Sequence, residues 1–299
     1  MSKLSWTILL VLSMAGIAAT YPILKYLNGA VDPYLLAFLR FFVASLALMP
    51  IMAYRHSLRL PPKSDLPLFL MLAFSVTIPT VFIVIGVQHT NSIVSAILVN
   101  TNPLVVALLA PFLIAEQMTA RKALALFVGF LGVIAVVLNG QSFSALFNST
   151  YFFGSMLLLA AAFLSGLYAI YAKGMVRKYD GLYVTFFSVA LGCAMLAAIV
   201  GFQGGFAPLL NFTPPIFLSI LSIGIIGTAI PWVLWGSSLK HLDAHVSASF
   251  KLLIPVFAAL YSFLFLTETF TLWMPVGLAL ISWAIYIVQR DDVRPVASL

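Results

Sequence analysis

The stretch HTNSIVSAILVNTNP, residues 89–103, returns later in the chain as HLDAHVSASFKLLIP, residues 241–255. In register, the two stretches share a histidine, a Val-Ser-Ala triplet and a proline: His89 with His241, Val94 with Val246, Ser95 with Ser247, Ala96 with Ala248, and Pro103 with Pro255. The match runs without a gap over residues 86–138 and 238–290. We therefore predict two copies of one unit, in residues 1–143 and 144–299.

The composition excludes a water-soluble fold. Of 299 residues, 63% are hydrophobic and 8% are charged, whereas a soluble domain carries roughly 25% charged residues. The single cysteine, Cys193, excludes a disulfide framework and a cysteine-based metal cluster. The sequence has no HExxH, GxSxG, GxGxxG or P-loop motif. We therefore expect neither an enzyme nor an ATP-driven pump, and no cofactor or metal.

Ten runs of mostly apolar residues each approach about 20 residues, the length that an α-helix needs to cross a bilayer. They occupy residues 4–25, 33–54, 65–88, 91–114, 120–139, 152–175, 181–203, 214–239, 244–266 and 271–289. In lipid only a helix satisfies its own backbone amides, and no run alternates as a strand would. We therefore predict an all-α integral membrane protein with ten transmembrane helices. Because each copy holds five spans, an odd number, the second repeat lies inverted in the membrane.

Lysine and arginine residues set the predicted orientation, because cytoplasmic loops of membrane proteins retain positive charge. With the N-terminus inside, 12 of the 15 cationic residues fall in segments on the inner side, and Lys25 falls outside. Both termini are then cytoplasmic, and we expect the chain in a bacterial inner membrane. The net charge of +7 thus sets topology and does not indicate a nucleic-acid partner. The last two cations, Arg40 and Lys251, lie inside predicted spans.

Three stretches carry a family resemblance: DPYLLAFLRFF at 32–42, PLVVALLA at 103–110 followed by AEQMT at 115–119, and the second copy of the latter at 255–268. They resemble the EamA-type members of the drug/metabolite transporter superfamily, and the likeness covers essentially the whole chain. The resemblance implies a central cavity lined by spans 1–4 and 6–9, with spans 5 and 10 peripheral or forming a homodimer. It also implies a small-molecule substrate, from a range that includes amino acids, nucleobases, sugars, phosphorylated metabolites and drugs.

Arg40 and Lys251 break the repeat, since Ser188 and Val99 stand at the matching positions. A cation at this depth costs on the order of 3 kcal/mol, so it needs water, a protein partner or a ligand. We predict that Lys251 binds an anionic group of the substrate. The alternative is a lysine that is satisfied by backbone carbonyls or that reaches the membrane interface. For Arg40 a structural pair with Asp32 is favoured over substrate binding.

Aromatic and amide side chains complete the predicted substrate site. These candidates lie near helix breaks or share a helix face: Tyr21, Asn100, Asn102, Tyr168, Trp232 and Trp235. A bound polar ligand would satisfy buried amides, and an aromatic wall would contact its apolar part. Ordinary packing is the alternative for the aromatic residues.

Residues matched in both copies are interpreted as scaffold. Pro103 and Pro255 lie within spans 4 and 9, where each removes a helix hydrogen bond, and we predict that they are hinges or kinks. Glu116 and Glu268 are each followed by a threonine three residues later. We predict that these pairs stabilise the N-termini of spans 5 and 10, with proton coupling as the alternative for the glutamates.

The sequence favours a secondary transporter that moves an amino acid or a related zwitterionic or anionic compound outward by alternating access. Uptake or exchange of a nucleotide-like or phosphorylated metabolite is the alternative within transport, with Lys251 and Arg40 acting together. A membrane-embedded enzyme or scaffold is the alternative outside transport. Because the spans hold no central carboxylate to carry protons, facilitated exchange competes with proton antiport.

Overall fold

The computed structural model describes residues 3–56, 59–113, 119–140, 150–203, 205–207, 212–238, 250–266, 268 and 271–292. Within these ranges every regular element is helical and no strand occurs. The α-helices are α1 (Lys3–Tyr26), α2 (Pro33–His56), α3 (Leu66–His89), α4 (Ser92–Val99), α5 (Asn102–Leu113), α6 (Ala120–Leu138), α7 (Thr150–Tyr179), α8 (Gly181–Phe202), α9 (Pro214–Gly224), α10 (Ile230–Ser238), α11 (Leu253–Phe265) and α12 (Trp273–Asp292). A π-helix, Ile225–Ala229, joins α9 to α10, and a 3-10 turn, Phe250–Leu252, precedes α11.

Eight segments of the described chain are long and apolar enough to cross a membrane, and two further apolar helices are shorter. The eight are Ser5–Tyr26, Pro33–Arg55, Leu66–His89, Ser92–Leu109, Ala120–Leu138, Thr150–Val176, Gly181–Phe202 and Pro214–Leu234; the shorter two are Phe250–Phe265 and Trp273–Val288. The predicted all-α membrane class is therefore confirmed. Ten complete spans and the inversion of the second copy stay predictions, and the ninth predicted span, 244–266, begins outside the described residues.

Two of the predicted spans are interrupted helices. In the fourth, α4 ends at Val99 and α5 begins at Asn102. Asn100 is the C-cap of α4, and the Thr101 hydroxyl donates to the Leu98 carbonyl over 2.7 Å. In the eighth, α9 widens into the π-helix before α10 begins. Irregular backbone is tolerated at membrane depth only where protein or a water-filled cavity covers it, so both interruptions belong in the interior.

α1 is central to the described bundle, because it packs against α3, α4, α9, α10, α11, the π-helix and the 3-10 turn. Its buried face includes Leu10, Met14 and Ala18, which have no exposed surface. Another side of α1 approaches the π-helix closely, since a Cβ on Gly16 would lie 2.6 Å from the Ile226 carbonyl oxygen. The missing side chain therefore lets the two backbones approach closely, as small residues do between membrane helices.

α6 and α12 pack along each other and contact the rest of the bundle mainly through α4 and α5. Gly132 and Gly277 make this approach close. A Cβ on Gly277 would lie 2.3 Å from Val136 Cγ2 and 2.7 Å from the Gly132 oxygen. The opposite faces of the two helices expose large apolar side chains, including Phe130 on α6 and Trp283 on α12.

The two matched threonines have different roles. Thr119 caps α6, as predicted, because its side-chain oxygen accepts a hydrogen bond from the Lys122 N–H over 3.1 Å. Thr271 instead donates to the side chain of Asn139. That contact ties the start of α12 to the end of α6.

The prediction that Glu268 stabilises the N-terminus of α12 is wrong. Its carboxylate accepts hydrogen bonds from the backbone N–H and hydroxyl of Ser92, at the start of α4. The first turn of any helix has unpaired N–H groups, and tertiary packing brings those of α4 to this carboxylate. Glu116 lies outside the described residues.

Candidate functional site

A buried arginine lies where the two halves of the chain meet. Arg40, on α2, is 9% exposed, and its Nε donates to the Thr228 hydroxyl oxygen over 2.9 Å. Thr228 has no exposed surface and belongs to the π-helix. Among the described residues no carboxylate lies within ion-pair distance of Arg40. Within the described residues, the guanidinium of Arg40 is therefore held by a neutral hydroxyl, and its positive charge has no anionic partner.

The π-helix orients the Thr228 hydroxyl for this contact. Thr228 Oγ1 donates to the carbonyl oxygen of Ile223, five residues earlier, over 2.9 Å. With its proton used there, the oxygen accepts from Arg40 through a lone pair. π-Helical turns are rare and occur frequently at functional sites. The corresponding span of the first copy, α3, is a continuous α-helix, so this feature is specific to the second copy.

One predicted site residue, Tyr21, lies close to Arg40, and a second, Asn100, interacts with Tyr21. Tyr21, on α1, is 5% exposed, and its hydroxyl interacts with the side chain of Asn100 and with the charge of Arg40. Asn100 is half-buried at the end of α4, where its Nδ2 donates to the Ala96 carbonyl over 2.7 Å. Arg40, Tyr21, Asn100 and Thr228 thus form one polar group between α1, α2, α4 and the π-helix. We call these four residues the Arg40 cluster.

Asp32 is not the partner of Arg40 that the sequence favoured. Its Oδ1 accepts from the backbone N–H groups of Tyr34 and Leu35 over 2.9 and 3.0 Å, and so caps the start of α2. Arg40 lies eight residues further along, about 12 Å at the helical rise per residue. The carboxylate satisfies amides at the helix start, and Arg40 makes its contacts inside the bundle.

Lys251 lies on the 3-10 turn before α11 and is half-buried. This turn packs against α1, the helix that carries Tyr21. The matching residue of the first copy, Val99, is the last residue of α4 before its interruption. Lys251 thus lies in 3-10 backbone, whereas Val99 is α-helical, and the role of Lys251 as a carboxylate anchor stays a prediction.

The other predicted site residues lie around this centre or pack elsewhere. Tyr168 interacts with side chains of α8, including Ser188, which favours the packing alternative. Trp232 is half-buried on α10, directly after the π-helix. Asn102 is half-buried at the start of α5. The side chain of Trp235 lies outside the described part of the structure.

Each predicted hinge proline lies in the first turn of an α-helix, directly after residues that are not α-helical. Asn100 and Thr101 separate α4 from α5 just before Pro103, and the 3-10 turn precedes α11 just before Pro255. A proline has no N–H to continue the helix ladder, so these are points where the backbone can bend. Motion about them stays a prediction.

Thr228 is a site candidate that the sequence prediction omitted. Continuing the register of the repeat places Val76 opposite Thr228, close to the matched prolines Pro79 and Pro231. A polar residue opposite an apolar one is the same asymmetry that singled out Lys251 against Val99, so the repeat contained a usable signal. The π-helix gave no such signal, because its geometry depends on contacts with other helices.

Comparison with known proteins assigns a family. A sequence model of the EamA-like transporter family matches residues 4–138 and 152–290. An uncharacterized transporter of Archaeoglobus fulgidus is 30% identical over 87% of this chain and 89% of its own length. The uncharacterized transporter YetK of Bacillus subtilis is 24% identical over 95% of this chain and 88% of its own.

One similar protein has a more specific name. A probable terminal-alkyne amino-acid exporter of Streptantibioticus cattleyicolor is 27% identical over 95% of this chain and 91% of its own length. A solved crystal structure also shares the fold, with a TM-score of 0.64 over 98% of this chain and 100% of that chain, at 18% identity.

Proposed function

We propose a substrate and a mechanism from one premise: this chain belongs to the EamA-like transporter family and is a multi-pass membrane transporter. The substrate is an amino acid or a related zwitterionic or anionic compound. It leaves the cell through alternating access, in which two five-helix halves expose one site first to the inside and then to the outside.

The buried charge of Arg40 is the observation that carries this proposal. Its Nε is used by Thr228, so the terminal guanidinium nitrogens are the groups that can reach a substrate carboxylate. A charged donor to a carboxylate makes a hydrogen bond roughly twice as strong as a neutral pair, and the planar guanidinium binds both oxygens. A carboxylate also supplies the anion that the described surroundings of Arg40 lack.

Neighbouring groups suit the rest of an amino acid. The hydroxyl of Tyr21 and the amide of Asn100 can accept hydrogen bonds from a substrate ammonium group. Trp232 provides an apolar wall for a side chain, as a ring after a helix interruption can. Arg40 for a carboxylate, Tyr21 and Asn100 for an ammonium group, and Trp232 for an apolar side chain together suit a zwitterion better than a simple anion.

Outward transport is supported by the name of the Streptantibioticus cattleyicolor protein, which specifies amino-acid export. For the coupling mode we favour facilitated exchange, because none of the four residues of the Arg40 cluster has a carboxylate that could carry a proton. Exchange in proteoliposomes should then proceed at the same rate with and without an imposed pH gradient. A rate that follows the gradient would establish proton antiport.

A phosphorylated or nucleotide-like substrate is the second candidate. It is favoured by a second embedded cation, since Lys251 lies on a turn that packs against the same central helix. Two cations suit the charge of a phosphate group better than that of a single carboxylate. In this case Lys251 and Arg40 would bind the substrate together.

One screen separates the two candidates. Purified protein is heated with single amino acids, nucleotides, sugar phosphates or cationic drugs, because a ligand that binds the folded state raises its unfolding temperature. We expect stabilisation by one or a few amino acids, followed by counterflow of the same compounds in proteoliposomes. Stabilisation by phosphorylated compounds alone would replace the amino-acid proposal with the second candidate.

A further inference from the structure

A lysine on α1 caps the C-terminal end of α3. Lys25 Nζ donates to the carbonyl oxygens of Val87 and Gln88 over 3.2 Å each, and to the carbonyl oxygen of Thr90. The last carbonyls of a helix have no partner within the helix, and a cation there is favoured by the helix dipole. Lys25 therefore connects α1 to the junction between α3 and α4.

A glutamate from the second half closes the start of α4 at the same place. The Ser92 N–H lies 2.9 and 3.0 Å from the two carboxylate oxygens of Glu268, and the Ser92 hydroxyl donates to one of them over 3.1 Å. The negative charge of Glu268 also attracts the ammonium of Lys25. We call Lys25, Glu268 and Ser92, with the three carbonyls of the α3 end, the terminal clamp.

The terminal clamp lies next to the Arg40 cluster, toward the C-terminal end of α1. Lys25 and Tyr21 are four residues apart on α1, so they share a helix face about one turn apart. α4 begins at Ser92, which binds Glu268, and is capped at its other end by Asn100, which interacts with Tyr21. The clamp thus holds the ends of two helices that carry cluster residues, α1 and α4. The charge distribution of the sequence places this end of the bundle outside the cell.

We propose that the terminal clamp is the outer gate of the transport pathway. It joins α1, α3 and α4 of the first half to Glu268 of the second half, so the two halves cannot separate at this end while it is closed. Opening breaks the contacts of Glu268 with Ser92, and the substrate then leaves. The gate rests on the proposed transport function, but its closure can be tested without a substrate.

The substrate-free test measures access to the cluster. Asn100→Cys in a Cys193→Ser background is exposed, in cells or right-side-out vesicles, to a membrane-impermeant cationic methanethiosulfonate reagent. We expect Glu268→Gln and Lys25→Met each to raise the labelling rate of this cysteine at least several-fold. Asp32→Asn is the matched control, because it neutralises a carboxylate that caps α2 at the same end of the bundle without joining the two halves. Equal labelling rates in the parent protein and all three variants would show that the clamp is only a pair of helix caps and not a gate.

The second test locks the gate. Ser92→Cys and Glu268→Cys are combined in the Cys193→Ser background and joined by a short bifunctional thiol reagent with a reducible disulfide. With a 14C-labelled mixture of L-amino acids, we expect counterflow to fall at least tenfold on cross-linking and to return on reduction. Thermal stabilisation by the same mixture should persist in the locked protein. Unchanged counterflow in the locked protein would overturn the gate. If the reduced protein shows neither counterflow nor thermal stabilisation, the proposed substrate is wrong, and the labelling result alone decides the gate.

Discussion

Arg40 shows how a membrane protein accommodates a charge whose described neighbours are neutral. Thr228 accepts a hydrogen bond from it, the Tyr21 hydroxyl interacts with its charge, and both residues are buried. Neutral hydroxyl groups stabilise a guanidinium less than a carboxylate would. A substrate carboxylate that binds Arg40 therefore gains an ion pair that the described residues do not already supply. The residue is thus suited to bind and release an anion rather than to hold one permanently.

Replacing Arg40 tests this role. Arg40→Met should weaken amino-acid binding by at least tenfold, because a charge-assisted hydrogen bond contributes roughly 1.5–3 kcal/mol, and titration calorimetry with the best ligand from the screen measures it. Arg55→Met is the matched control, an exposed cation at the end of the same helix, and should leave affinity unchanged. Lys251→Met should have a clearly smaller effect than Arg40→Met on an amino acid, and equal effects would assign the substrate to both cations.

A second charged group lies at the opposite end of α3. Lys178 Nζ donates to Asp65 Oδ2 over 2.6 Å, and the Tyr179 hydroxyl donates to the same oxygen. The hydrogen bond from Lys178, followed by that from Tyr179, holds the pKa of the Asp65 carboxyl below its ordinary value. These contacts join the start of α3 to the end of α7, and so connect the two halves of the chain.

The lowered pKa of Asp65 predicts a pH-dependent stability. Because the folded pKa is below the unfolded value of about 4, the stabilisation is present above that value and is lost as pH falls through the folded pKa. The unfolding temperature of the wild type should exceed that of Asp65→Asn at pH 7, and the gap should close below about pH 4. Thermal unfolding of both proteins across that range measures it. A gap that stays constant would assign the difference to neutral hydrogen bonding.

At the scale of elements, the contact between α1 and the π-helix decides the geometry of the cluster. Gly16 and Gly227 leave room for it: a Cβ on Gly227 would lie 2.3 Å from Thr20 Oγ1. Farther along, the Ser13 hydroxyl donates to the Pro231 carbonyl over 3.4 Å. These small and polar residues allow the π-helix to present Thr228 to Arg40.

Enlarging Gly16 should separate these elements. Its Cβ would meet a backbone oxygen of Ile226 at 2.6 Å, which cannot move without the helix. We expect Gly16→Ala to destabilise the protein by about 1–3 kcal/mol, the usual cost of overpacking, and to reduce transport. Gly174→Ala is the control, since nothing lies within 4 Å of its added Cβ, and should be neutral or slightly stabilising. Chemical unfolding and counterflow of both variants provide the comparison.

At the scale of the whole molecule, orientation is open to a direct measurement. Asn28 follows α1 and Lys63 precedes α3, and both are exposed at opposite ends of α2. In the Cys193→Ser background, an impermeant thiol reagent applied to cells should label Asn28→Cys and spare Lys63→Cys until the membrane is permeabilised. The reverse pattern would place both termini outside and make the terminal clamp an inner gate.

A homodimer through α6 and α12 also stays a prediction for the whole molecule. The two helices form a pair at the side of the described bundle and expose Phe127, Phe130, Trp283 and Tyr286. Such faces contact lipid in a monomer and each other in a dimer. Stepwise photobleaching of singly labelled protein in sparse vesicles counts the copies, and single steps throughout would exclude the dimer.

The sequence by itself determined the membrane class, the internal repeat and the approximate helix positions, because hydrophobic length and repeat register are properties of neighbouring residues along the chain. It also proposed Arg40, Tyr21 and Asn100 as site candidates, through asymmetry between the copies and proximity to a helix break, and the structure groups these three together. Only the tertiary structure decided that Arg40 contacts Thr228 instead of Asp32, that Glu268 binds the start of α4, and that the eighth span contains a π-helix. These features depend on contacts between residues more than 170 positions apart, and a local pattern does not specify which unpaired helix end or hydroxyl packing will bring to a given charge.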